Sequence, residues 1–187
     1  MAQTPSTMSM KIGEIAPNFT LLDTISGKPI SLQDIKSNYA TVIMFICNHC
    51  PFVKHIQKEI VKLSNDYIPK GISFVAISSN DVDNYPEDSP EKMKQIAKEM
   101  NYPFPYLYDE TQGVAKEYKA ACTPDFYIFD KELKCIYRGQ LDDSRPSNGI
   151  PVTGRDIRNA LDLVLQGKMV TQEQKPSIGC NIKWKNV

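Results

Sequence analysis

Residues 40–63 read "ATVIMFICNHCPFVKHIQKEIVKL". The opening run is apolar and partly β-branched, as in a strand buried on both faces, and it predicts one at about Thr41–Ile46. Further on, Val53, Ile56, Ile60 and Leu63 recur at the spacing of a single helical face. Pro69-Lys70-Gly71 then stops the helix, and "ISFVAISSN" (72–80) is a second apolar, β-rich run. Residues 41–80 therefore read as a βαβ unit with parallel strands. Cys47 and Cys50 stand at the seam where the first strand gives way to the helix, with His49 between them and His55 beyond.

The rest of the chain extends this unit. "APNFTLLDTISGKPISLQDI" predicts a hairpin turning at Ser26-Gly27-Lys28-Pro29. Met93, Ile96, Ala97 and Met100 mark a second helix, "PYLYDE" (105–110) a third strand, and residues near 112–119 a short helix. "DFYIFD" and "KCIYRG", joined by Lys131-Glu132-Leu133, form an antiparallel pair, and Ile157, Ala160, Leu161, Val164 and Leu165 line a last helix. The fold class is α/β with a mixed central sheet. Residues 1–10, polar and aperiodic, are expected to be a flexible tail, 11–170 the domain, and 171–187 an extension docked on it through Ile182 and Trp184.

This layout carries a geometric expectation. Parallel strands of a βαβ unit end at one edge of the sheet, so loop 47–52 lies near loop 80–90. A strand antiparallel to them starts there, which brings "CTPDF" (122–126) onto Cys47 and Cys50. Ligand sites of open α/β sheets form at this edge.

Bulk composition narrows the function. Hydrophobic residues make up 41% and charged residues 24%, as in a soluble globular protein. Lys plus Arg and Asp plus Glu balance at 22 each, so no net field recruits nucleic acid or an anionic membrane. No apolar run approaches the roughly 20 residues of a membrane span. The first residues lack the basic and apolar regions of a signal peptide, so a cytoplasmic location is expected. The five cysteines, 47, 50, 122, 135 and 180, are odd in number and sparse, unlike a secreted disulfide framework.

A close thiol pair at a strand-to-helix seam points to redox chemistry. Unpaired N–H groups at a helix N-terminus favour a thiolate. With Cys47 at that terminus and Cys50 one turn inside, Cys47 is expected to be the more exposed, more acidic thiol and the nucleophile, with Cys50 resolving its mixed disulfides. His49 is the residue placed to lower the Cys47 pKa further. A metal site of Cys47, Cys50 and a histidine is the competing reading, but a second ligand pair at finger-like spacing is absent, so neither metal nor other cofactor is expected. Cys135 reads as a small buried hydrophobe. Cys180 reads either as a third thiol or as part of a structural strap. The acidic 80–91 loop (Asp81, Asp83, Glu87, Asp88, Glu91) reads as a solvated loop or a selector of partners, and Asp142, Asp143, Arg145 and Arg155 as surface pairs.

The motifs, taken in order, resemble the thioredoxin superfamily and its redoxin, peroxiredoxin-like branch. "KIGEIAPNFTLLDTISGKPISL" is similar to the redoxin N-terminal hairpin, "CNHC" to the Cys-x-x-Cys position, and "TPDFYIFD" to the segment bearing the family's cis-proline. The resemblance implies that Pro124 is cis, that it faces the cysteine pair, and that the Thr123 backbone pairs with an extended substrate peptide. Cys122 is then packed beneath the site. The chain departs from both archetypes: Ile43 and Cys47 stand where a peroxiredoxin motif ending at Cys50 has Pro and Thr, and Ile46 stands where thioredoxins carry Trp. The expected activity is thiol–disulfide exchange with a disulfide-bearing protein or a small-molecule thiol, supplied by a separate electron donor. Thiol peroxidase activity and a non-enzymatic metal carrier or adaptor are the alternatives.

Overall fold

The computed structural model describes residues 3–186. Its elements run β1 (Gln3–Pro5), β2 (Thr20–Asp23), β3 (Pro29–Ser31), α1 (Leu32–Ile35), β4 (Ala40–Phe45), α2 (Pro51–Tyr67) and β5 (Ser73–Ser78). There follow α3 (Pro90–Glu99), β6 (Tyr106–Tyr108), α4 (Gly113–Glu117), β7 (Cys122–Thr123), β8 (Asp125–Asp130), β9 (Cys135–Gly139), α5 (Arg155–Leu165) and β10 (Ile178–Asn181). Seven strands form one mixed sheet in the order β3-β2-β6-β5-β4-β8-β9, and β1-β10-β7 form a second, small one. This is a thioredoxin-like α/β fold.

Strand β4 sits mid-sheet, parallel to β5 and antiparallel to β8. All six of its residues are buried, because both faces are covered. Val42 and Met44 pack with Val53, Ile56 and Ile60 of α2 and with Ile157 and Leu161 of α5. Ile43 and Phe45 face the opposite layer, built by Val114 and Ala115 of α4, Tyr118, Tyr127 and Phe129. Each fully buried aliphatic side chain contributes about 1.5–3 kcal/mol, so this double cover fixes the end of β4 in space. Among the described residues no helix is long and apolar enough to cross a membrane.

Residues 3–10 depart from the loose tail expected of them. Gln3–Pro5 pair antiparallel with β10, the Ser6 hydroxyl donates to Asp125 at 3.0 Å, and Met10 is buried. Backbone pairing needs no side-chain periodicity, so a three-residue polar strand leaves no pattern to read. In the C-terminal stretch, Ile182 is buried, while Trp184 remains 39% exposed, with Lys116 Nζ 5.8 Å from its ring centroid. Asp142 is likewise no surface partner: it is buried and accepts from Ser144 and from the Thr153 and Gly154 N–H groups.

Candidate active site

The β4 chain leaves the sheet at Phe45, opposite Asp125 at the start of β8. This places Cys47 and Cys50 against the segment 122–125, the convergence the topology calls for. Cys47 Sγ lies 3.4 Å from Thr123 Oγ1, and Cys50 Sγ lies 3.3 Å from the Thr123 carbonyl oxygen. The Thr123–Pro124 peptide is cis. Cys122 is buried beneath, its sulfur 3.8 Å from the Pro124 carbonyl oxygen. Cys135 is buried in β9.

The helix begins one residue after Cys50. Cys50 is the N-cap residue, with extended backbone, and Pro51 occupies the first helical position. A residue before proline is disfavoured in helical conformation, so Cys50 could not lie a turn inside, as the sequence reading has it. The field of the helix terminus therefore acts on Cys50 rather than on Cys47. The thiol of Cys47 hydrogen-bonds to the Cys50 sulfur, and together with contacts from Cys180 and the Val53 N–H it pulls the Cys50 pKa down to about 5 against the cost of burial. Cys47 is pushed up, first by that same hydrogen bond to Cys50, then by burial and by the nearby Asp88 carboxylate. The expected order of acidity is thus reversed. Nor is Cys47 exposed: its accessibility is 2% and that of Cys50 is 0%.

His49 is turned toward Asp88. Its Nδ1 lies 2.6 Å from Asp88 Oδ2, and its ring stacks on Tyr85 with centroids 5.5 Å apart. Hydrogen bonding to Asp88 raises the His49 pKa despite partial burial. Asp88 is fully buried and also accepts from the Asn48 and His49 N–H groups and from Asn80 Nδ2. Those hydrogen bonds hold its carboxyl below its usual range against the burial that opposes ionisation. His49 is thus committed to Asp88, and of the two it is Asp88 that bears on Cys47, raising its pKa. Asp88 is the site residue that sequence reasoning missed. The meeting of the two loops was legible, but not which of several acids in 80–91 turns inward.

One metal-compatible group occurs among the described residues: single ligand atoms of Cys47, His49 and Asp88 lie within 4.8 Å of one another. Both Asp88 oxygens already receive hydrogen bonds from the four donors named above, and the Cys47 thiol is engaged by Cys50. His55 stands apart, lining a small cavity with Phe52, Pro124 and Arg145.

The last component is Cys180 on β10. Its Sγ lies 2.9 Å from Cys50 Sγ. β10 pairs with β7 along the Thr123 edge, with Cys180 opposite Thr123. The edge expected to receive an extended peptide is occupied by the chain itself, and Cys180 lies against the Cys50 sulfur.

Comparison with known proteins agrees with this architecture. Residues 12–138 match the AhpC/TSA family. The chain belongs to the AhpC/TSA family, within the thioredoxin superfamily. An uncharacterized conserved protein from Geobacillus kaustophilus is 66% identical, with a TM-score of 0.98 over 100% of this chain and 98% of that one. A hypothetical protein from Sinorhizobium meliloti 1021 is 47% identical, with a TM-score of 0.94 over 97% of this chain and 98% of that one. The thioredoxin domain of a thiol-disulfide oxidoreductase from Bacteroides vulgatus shares the fold at 21% identity, with a TM-score of 0.60 over 71% of this chain and 90% of that one. No curated protein matches the chain.

Proposed function

We propose that the protein is a thiol–disulfide oxidoreductase working through Cys47 and Cys50. The observation that carries this reading is the junction itself: two thiols in mutual contact at the N-terminus of α2, one of them held acidic, facing Thr123 and cis-Pro124. The pair holds one charge, seated on Cys50, with the Cys47 S–H resting against it. Cys47 is the attacking sulfur, since it adjoins the half-buried Asn48 and His49 whereas Cys50 is enclosed by Thr123 and Cys180. As Cys47 attacks a substrate disulfide, its proton passes to Cys50, and the first substrate thiolate leaves. The Cys50 sulfur then attacks Cys47, releasing the second substrate thiol and leaving a Cys47–Cys50 disulfide. Two electrons pass to the substrate, and a thiol donor restores them. Because the Thr123 edge is covered by β10, the substrate class favoured is a small disulfide rather than an extended peptide.

The test is turnover of glutathione disulfide by the two serine variants. Cys47→Ser should lose activity at least about a hundredfold, the scale of removing a catalytic group. Cys50→Ser should accumulate a glutathione adduct on Cys47. Equal residual activity in both variants would overturn the assignment.

A further inference from the structure

β10 is anchored more firmly than a trailing segment requires. It lies between β1 and β7, with Cys180 opposite Gln3 on one side and Thr123 on the other. Gly179 makes the approach possible, since a Cβ there would run into the Thr123 carbonyl and crowd Pro124. Beyond β10, Ile182 donates its N–H to the Ala121 carbonyl at 3.0 Å, and the Lys183 N–H donates to Asn80 Oδ1 at 2.8 Å. The Lys183 carbonyl in turn accepts from the Asp81 N–H and from Gln112 Nε2.

This scaffold delivers a sulfur to a sulfur. At 2.9 Å the Cys50 and Cys180 Sγ atoms are closer than the roughly 3.5–4.0 Å of ordinary nonbonded carbon packing. Cys122 and Cys135 show what a buried cysteine does when it only fills space: each sulfur meets a backbone carbonyl, of Pro124 at 3.8 Å and of Tyr137 at 3.5 Å. A strap would need only a small apolar side chain at position 180.

We propose that Cys180 is a third redox thiol, and that the disulfide formed between Cys47 and Cys50 moves on to Cys50 and Cys180. This rests on the oxidoreductase reading given above. The Cys180 sulfur attacks the Cys50 sulfur of the Cys47–Cys50 disulfide. The Cys50–Cys180 bond forms and the Cys47–Cys50 bond breaks. The electron pair departs on Cys47, which takes up the proton that Cys180 gives up. The exchange has no net oxidation. It returns Cys47 as a thiol and stores the oxidising equivalent under the C-terminal strand, now covalently tied across the Thr123 edge. Two equivalents of a thiol donor reduce Cys50–Cys180 and restore all three thiols.

The test is disulfide mapping of the full-length protein oxidised with glutathione disulfide, alkylated under denaturing conditions and digested with trypsin. Cys47 and Cys50 fall in one tryptic peptide, 37–54, and Cys180 falls in 169–183, because Pro176 blocks cleavage after Lys175. The expected product is 37–54 linked to 169–183, at least about tenfold over the disulfide internal to 37–54. Cys47→Ser, lacking the attacking sulfur, and Cys50→Ser, lacking the shared one, should both lose that link, and Cys180→Ser should shift the disulfide into 37–54. An internal 37–54 disulfide in the wild type, with Cys180 alkylated throughout, overturns the relay and leaves the oxidoreductase reading standing. Absence of either disulfide in both the wild type and Cys180→Ser overturns the two together.

Discussion

At the scale of single residues, the site is a matter of where two negative charges sit. One belongs to the Cys47–Cys50 pair, where the Cys47 thiol and the helix terminus draw the Cys50 pKa down. The other is on Asp88, which gives up its solvation in exchange for four donors. Thiolate absorbance in the ultraviolet should titrate with a midpoint near the 5 of Cys50. Cys47→Ser should move that midpoint upward, because a hydroxyl is a poorer match to the thiolate than the thiol that is its first support. An unmoved midpoint would place the charge elsewhere. Asp88→Asn removes the main cause of the raised His49 pKa and one cause of the raised Cys47 pKa, so both should fall. Proton NMR of the His49 ring and pH-dependent alkylation of Cys47 read the two shifts; an unchanged His49 titration would detach it from Asp88. Losing a charge-assisted hydrogen bond in a buried setting should also cost about 1.5–3 kcal/mol of stability. The pH window follows from the directions of shift. The raised His49 contributes fully below its unfolded value of 6.5, and its contribution fades as pH climbs through the folded pKa. The lowered Asp88 contributes above its unfolded 3.8 and fades as pH drops through its folded pKa. Between those two values the ion pair is whole.

At the scale of elements, the cover over the cysteines depends on a strand of four residues, and Gly179 is its point of closest approach. Gly179→Ala should lift β10 from β7 and cost about 1–3 kcal/mol, the usual range for overpacking. Cys180 should then alkylate faster in the folded protein, as measured by mass spectrometry over time. Unchanged protection of Cys180 would mean that β10 is held by β1 and Ile182 alone. This strand also marks where the sequence stops being legible. The β4–α2–β5 unit could be read because each element buries a long apolar pattern of its own. The convergence of residues 122–126 on Cys47 followed from topology, without any local signal. The β1–β10–β7 sheet had neither support: its strands of three, four and two residues are joined by backbone bonds across most of the chain. The acidity of the thiols was misjudged for a different reason. Pro51 announced the helix start in plain view, and placing Cys50 outside the helix would have transferred the terminal field to it.

At the scale of the whole molecule, the two chain ends meet on one buried carboxylate. Asp125 follows the cis-proline directly and accepts from Ser6 Oγ at 3.0 Å and Tyr127 OH at 3.1 Å, and the Ser6 N–H in turn donates to the Ser177 carbonyl at 2.8 Å. Through Ser6 it thus binds the segment after β1 and the segment before β10 to the first residue of β8. Burial lifts its pKa from 3.8 to about 7, and these donors temper the rise without cancelling it. A carboxyl raised on folding holds its proton more tightly in the native state, so its contribution to stability declines as pH rises from about 4 to about 7 and levels off above. A shift of this size corresponds to about 4 kcal/mol as an upper bound. From 4 to about 6.5 the His49–Asp88 pair is constant, and Asp125 sets the slope up to about 5, where the lowered Cys50 thiol begins to oppose it. Above that range the loss of His49 charge adds in the same direction as Asp125. Stability should therefore fall from about pH 4 to 5 and then run nearly level to 7, because the loss at Asp125 is offset by the gain from a Cys50 thiol that ionises more readily in the folded protein. Asp125→Asn keeps an oxygen to accept from Ser6 and Tyr127 but cannot ionise, so it should leave the Cys50 gain unopposed and make stability rise from about pH 5 to 7. Thermal unfolding followed by circular dichroism across that range decides it. A variant with the wild-type slope would show that the buried carboxyl at the meeting of the chain ends is not what titrates.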